Sequence, residues 1–244
     1  MSCLCLLPLV LAALAPCRGV DEVNIAVILP ANNSRLFSLM KTIPALQYAI
    51  DSVRSRGLLP GRSLDVVQAD SRCDAIAAPI AAFDYHRRRQ AHVFFGPVCD
   101  YSLAPVARYA PYWRIPVVTP GGMAHDFGKD KTASGAEFPT LTRIGCTFNS
   151  LAEYVFNSVR RFGWRRLKVM YDPDGHSDIV HRFCYLAMSA VVRHVVEREN
   201  KKEEADSSVS QHVFLFRDAA ADYGQILTDE IGTKFSSKTS FLSP

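Results

Sequence analysis

From residue 23 onward, short apolar runs alternate along the chain with longer stretches in which apolar residues recur every three or four positions. Val23-Asn24-Ile25-Ala26-Val27-Ile28-Leu29 reads as a strand that stops at Pro30. After a loop from Ala31 to Ser34, an amphipathic helix is expected from about Phe37 to Val53, closed by the turn Gly57-Leu58-Leu59-Pro60-Gly61. Leu64 to Ala69 is the second strand, Ala75 to Arg88 a helix, Ala91 to Phe95 the third strand and Tyr101 to Ala110 the next helix. Ile115-Pro116-Val117-Val118-Thr119 makes a fourth strand, in which a proline is tolerated only at the start. This alternation predicts an α/β fold of parallel βαβ units with right-handed crossovers, where ligands collect at the carboxyl ends of the strands.

The rhythm breaks from Pro120 to Ala136, a stretch opened by Pro120-Gly121-Gly122 and rich in Gly, Lys and Asp. A loop of this size is expected to be functional, and a crossing between two lobes explains it. The alternation then resumes with a short strand or extended crossing at Leu141-Thr142-Arg143-Ile144, a helix from Leu151 to Phe162 and a strand from Leu167 to Tyr171 closed by Asp172-Pro173-Asp174-Gly175. A long helix from about Asp178 to Arg198, a charged linker from Glu197 to Ser208, a strand from Gln211 to Phe216 and a last helix from Ala219 to Ile231 follow. The expected organisation is a first ligand-binding lobe over residues 20–140, a partial second lobe over 141–232 and an unstructured tail over 233–244. Two strands fall short of the usual sheet, so the second lobe is expected to be incomplete and the chain a truncated form.

The N-terminus adds the compartment. Met1 to Gly19 holds an apolar core, Leu4 to Ala15, too short to span a bilayer and followed by small residues, so residues 1–19 read as a secretory signal peptide. Secretion to the cell exterior follows, with attachment to the cell membrane only if a longer form carries an anchor beyond this C-terminus. In 244 residues the hydrophobic fraction of 48% can fill a core, and a net charge of +4 is too small to signal nucleic acid. The basic cluster His86-Arg87-Arg88-Arg89 reads as a solvated helix end, where cations complement the helix dipole.

Chemistry concentrates in Phe95-Gly96-Pro97-Val98-Cys99-Asp100-Tyr101 and Ser102-Leu103-Ala104-Pro105-Val106-Ala107-Arg108, which ends a strand and opens a helix. Amides freed at such a helix start favour an anion or an acidic ligand group. Cys73, Cys99, Cys146 and Cys184 lie beyond the signal region in an oxidising compartment, and four cysteines allow three pairings. No Cys or His spacing suits a metal, so none is expected. Asp70, Asp74 and Asp100 can gather near the cleft, but no nucleophile with a positioned base and no phosphate loop accompanies them; no catalytic residue is assigned and a binding protein is expected. Asn32-Asn33-Ser34 is an N-glycosylation sequon at Asn32.

Several motifs together carry a family resemblance: Ile28-Leu29-Pro30, Leu36-Phe37-Ser38-Leu39, Pro44-Ala45, Asp70-Ser71-Arg72-Cys73, Gly96-Pro97-Val98-Cys99-Asp100-Tyr101, Ala104-Pro105-Val106-Ala107-Arg108 and Trp113-Arg114-Ile115-Pro116. From about Val23 to Phe216 the chain resembles the extracellular domain of natriuretic peptide receptors, the clearance type above the receptor guanylate cyclases. The resemblance implies a two-lobed, periplasmic-binding-protein-like (type I) fold used as a homodimer that clasps one peptide hormone. It implies a disulfide between Cys73 and Cys99, and a buried chloride ion held at Ser71, Val98 and Cys99. A hydroxyl and two backbone amides suit such an anion. It assigns Tyr101 and Arg108 to the ligand's neighbourhood, and Tyr171, Tyr185 and Met188 to an apolar pocket of the second lobe. Tyr185 and Met188 also stand at a spacing common in plain core. Ser189 stands where the family carries a glutamate, and Cys146 is a further departure, free or paired with Cys184. A secreted decoy or small-ligand-binding protein on the same fold is the alternative.

Overall fold

The computed structural model describes residues 22–200, 210–216 and 222–232. The expected signal peptide, the centre of the charged linker and the expected tail lie outside the described residues. The elements are β1 (Glu22–Leu29), α1 (Leu39–Ser55), β2 (Ser63–Asp70), α2 (Ala77–Arg87), β3 (Val93–Phe95), α3 (Asp100–Trp113), β4 (Val117–Thr119) and β5 (Leu141–Arg143). There follow α4 (Phe148–Arg161), β6 (Arg166–Tyr171), α5 (Phe183–Asn200), β7 (Ser210–Leu215) and α6 (Tyr223–Glu230). The first five strands form one parallel sheet in the order β2-β1-β3-β4-β5, and β6 pairs with β7 in a second parallel sheet.

Side chains of β1 alternate between two buried faces, which is why its apolar run is nearly unbroken. Ala26 and Ile28 pack with Ala78 and Ala82 of α2 and with Leu103, Val106, Ala107 and Ala110 of α3. Val27 and Leu29 face the other way, against Phe37, Leu39, Ile43 and Leu46. Helix α1 begins where Ser38 Oγ accepts from the Lys41 N–H, two residues later than its apolar spacing suggests. At the end of β3 a Cβ on Gly96 would lie 2.4 Å from the Ile28 carbonyl oxygen, and its φ of +90 excludes other residues as well. The Gly96-Pro97 bond is cis.

Two expectations are corrected. The long loop after β4 does not cross between lobes: it folds around a short 3-10 turn, His125–Gly128, and returns to the same sheet, where Leu141 pairs with Val117 and Arg143 with Thr119. Leu141–Arg143 therefore belongs to the first sheet, and the boundary at 140/141 falls one strand too early. Burial drives this return, because Leu141, Phe127 and Phe138 close the end of the first core. The long second-lobe helix starts at Phe183 rather than Asp178; Arg182, at φ 55, interrupts any helix from Asp178.

The second unit packs α4 on α5 through Phe148, Ala152, Ala187, Ala190 and Val191. Met123, from the loop after β4, joins that cluster and accepts the Phe148 N–H at 3.0 Å, so the two units share packing at their junction. The basic cluster ends α2 as expected. Arg87 and Arg88 both pair with Asp84, while His86 stacks on Trp113.

Candidate functional site

The loops after β2 and β3 are tied by the Cys73–Cys99 disulfide, with Cα atoms 5.3 Å apart. Cys146 and Cys184 are free, the first exposed and the second half-buried. Beneath the bridge Ser71 is fully buried; its Oγ accepts the Cys73 N–H at 3.3 Å. Val98 and Cys99 are buried too, and among the described residues their amides and the Ser71 hydroxyl proton find no acceptor. Gly121 runs against this loop so tightly that a Cβ there would sit 2.1 Å from the Val98 carbonyl oxygen. A buried hydroxyl and two unsatisfied amides are a donor set that fits a small anion.

Open α/β sheets take ligands at the carboxyl ends of their strands, and two spaces of very different size lie there among the described residues. Ile179 and Val180 from the second unit sit on Leu36, Phe37, Val98, Cys99 and Met123, leaving a void of about 10 Å3. One water molecule is the most such a space holds. Arg35 fastens this contact by donating to the Ser177 carbonyl at 2.6 Å.

A larger cleft of about 620 Å3 lies to the side, between α3, the loop after β4 and α5. Tyr101 faces it from the first turn of α3, Arg108 from two turns further along that helix, and Tyr185 from α5. Arg108 is held by Glu137 (Nε to Oε1, 2.7 Å) and lies over the Phe138 ring. Arg193 pairs with Asp126 at 2.5 Å across the junction. Tyr101 packs edge-on against His181, and its hydroxyl accepts from Arg182 at 3.5 Å. Tyr171 stands behind this wall, hydrogen-bonded to Ser189, and burial pushes its phenol up. Met188 packs at the edge of the second unit's core and is not among the residues facing the cleft.

Thus Tyr101, Arg108 and Tyr185 come together, Tyr171 supports them, and Met188 does not. Glu137, Phe138, Asp126, Arg182 and Arg193 were missed by sequence reasoning.

The three aspartates serve the backbone. Asp70 Oδ1 accepts the N–H groups of Ala31 and Arg72, each at 2.8 Å, and Asp74 Oδ1 takes those of Ile76 and Ala77 at the start of α2. These backbone bonds hold the Asp74 carboxyl below the usual range. Asp100 Oδ1 accepts from Ala124 at 2.7 Å, while Oδ2 has no partner; at 6% exposure, burial pushes the carboxyl up to about 6. Arg143, bonded to the carbonyls of Gly122 and Ala124, opposes that shift.

A five-stranded, doubly wound sheet joined to a second α/β unit defines a periplasmic-binding-protein-like ligand-binding fold. Solved structures agree. An ABC transporter substrate-binding protein from Desulfitobacterium hafniense superposes with a TM-score of 0.60 at 15% identity, over 81% of this chain and 51% of that one. The leucine-binding protein LivK from Thermotoga maritima does so at 0.52 and 16%, over 85% and 53%.

Residues 42–214 match the receptor family ligand binding region, and the chain belongs to that family. Among curated relatives, atrial natriuretic peptide receptor 3 of Homo sapiens is 32% identical over 179 residues, covering 70% of this chain and 31% of the receptor. That of Rattus norvegicus is 31% identical over 178 residues, covering 70% and 32%. Atrial natriuretic peptide receptor 2 of Mus musculus is 30% identical over 167 residues, covering 66% and 15%. The chain thus spans about a third of the length of its receptor 3 relatives.

Proposed function

We propose that this chain is an extracellular ligand-binding region of natriuretic peptide receptor type, which binds a peptide hormone without catalysing a reaction. The observation that carries the reading is the open cleft between the two units, about 620 Å3 and faced by Tyr101, Arg108, Tyr185 and Phe138, which suits a peptide side chain or turn. Aromatic and arginine side chains are the residues that most often dominate such binding.

Three accompanying features belong to the proposal. Chloride occupies the donors at Ser71, Val98 and Cys99, where it would neutralise otherwise unsatisfied groups and stiffen the base of α3. A second copy of the chain covers the apolar face formed by Ile76, Ile80, Phe83, Tyr109 and Tyr112, the last of which is 85% exposed. Asn32 carries a glycan; it is exposed in the loop after β1, its Oδ1 accepting from Ser34 Oγ at 2.9 Å. No helix among the described residues is long and apolar enough to cross a membrane; the secretory leader and any membrane attachment are part of this reading.

Titration with labelled atrial natriuretic peptide, in chloride and in a chloride-free gluconate buffer, tests the reading. Saturable binding that weakens without chloride and on Tyr101→Ala is expected. A folded chain that shows no saturable binding in either buffer overturns it.

A further inference from the structure

Arg182 closes the turn before α5 in the left-handed backbone region, at φ 55, a conformation that a long side chain keeps only where its surroundings hold it. Its N–H donates to Ser177 Oγ at 3.1 Å, and its carbonyl accepts the Leu186 N–H at 3.0 Å. The guanidinium is thereby laid over the Tyr185 ring, 3.9 Å from the centroid, with Nη1 reaching the Tyr101 hydroxyl of the first unit. Both rings face the lateral cleft.

Charge distinguishes Arg182 from its neighbours. Arg108 and Arg193 are each ion-paired, with Glu137 and with Asp126, which Lys129 also meets. Among the described residues no carboxylate lies within ion-pair distance of Arg182. Stacking on Tyr185 uses one face of the guanidinium and leaves N–H groups at its edge free to bind a carboxylate in the plane. The planar cation is already oriented, so little side-chain entropy is lost when that bond forms.

We propose that Arg182, packed against two of the rings that line this cleft, reads a carboxylate on the ligand, either an acidic side chain or a peptide's terminal carboxylate. This rests on the peptide-binding reading above only for the kind of molecule that carries the carboxylate.

The test uses the full chain, labelled atrial natriuretic peptide and the same peptide with every carboxyl group converted to an amide. The wild-type chain should prefer the acid form about tenfold, as a charge-assisted hydrogen bond implies. Arg182→Gln should abolish that preference and Arg182→Lys should keep part of it. Equal binding of both forms by the wild type, or an undiminished preference in Arg182→Gln, overturns the inference.

If neither peptide form binds, the hormone reading fails and small probes decide. A saturable shift of the Arg182 Nε resonance with N-acetylglycine or N-acetylaspartate N-methylamide, absent with N-acetylglycinamide, sustains the carboxylate reading. The probe that acts separates terminal from side-chain recognition, and no shift with either acid overturns the inference.

Discussion

Asp100 is a carboxylate held almost out of water with one oxygen unpartnered, and its cost should be visible as a pH dependence of stability. Its pKa rises from 3.8 to about 6, a gap of about 2 units, which corresponds to roughly 3 kcal/mol between its protonated and ionised forms. The sign follows from proton binding. A group whose pKa is raised in the folded state binds its proton more tightly there, so its stabilising contribution is complete below 3.8 and is lost as the pH rises through about 6. Asp100→Asn keeps an oxygen for the Ala124 N–H and cannot ionise.

The assay is urea unfolding of the wild type and Asp100→Asn, disulfide intact, at half-unit steps from pH 4 to 7.5. All other groups titrate in both chains and cancel in the difference. The variant should gain roughly 2–3 kcal/mol relative to the wild type between the two ends of the range, with most of the change between about pH 4 and 6.5. A constant offset arising from the altered contact with Arg143 leaves that slope untouched. Parallel stability curves would refute the reasoning, because they would mean that Asp100 titrates in the folded chain as it does in the unfolded one.

Cutting the Cys73–Cys99 bridge by the double change Cys73→Ser and Cys99→Ser reopens a loop of 26 residues, and denaturant unfolding should show a loss of about 3 kcal/mol by the chain-entropy model. Gly121→Ala forces a methyl group against the Val98 carbonyl, so its melting temperature should fall sharply and the chloride dependence of peptide binding should disappear with it. Leu103→Ala, at a fully buried position between sheet and helix, should cost about 2–5 kcal/mol in urea unfolding while peptide affinity of the folded fraction stays near wild type. Glu137→Gln leaves Arg108 without its ion pair at half-exposed positions, so stability should move by less than about 1 kcal/mol while peptide affinity, read by titration, changes several-fold.

The first sheet was legible because its strand β1 is buried on both faces. Val27 and Leu29 cannot be polar when α1 covers them, nor Ala26 and Ile28 when α2 and α3 do, so the apolar run itself announced a central parallel strand. The loop after β4 misled for the converse reason. Its return to the sheet depends on Phe127, Phe138 and Leu141, three residues spaced too widely to form any periodic pattern. Part of the candidate site was readable through the family resemblance instead: it assigned Tyr101, Arg108 and Tyr185, and the structure brings these three to one cleft. Glu137, the partner of Arg108, and Arg182, the partner of Tyr101, lie 29 and 81 residues away along the chain, and no local signal encodes such pairings.

The position of Ile179 and Val180 bears on what binding can do in this fold. In a two-lobed protein that encloses its ligand, closure is stabilised by the ligand, and the lobes respond by hinge motion. Here apolar side chains of the second unit pack at part of that place, and Arg35 fastens to Ser177. On the proposed reading, a ligand in the lateral cleft touches both units, at Tyr101 and Tyr185. It can favour one arrangement of the units only through a difference in its contacts between arrangements. The groups positioned to sense such a difference are those that span the junction beside the cleft, the Arg182–Tyr101 contact and the Arg193–Asp126 pair. On the proposed reading, binding energy would act on a relative shift of two units already in contact at Arg35 and Ser177.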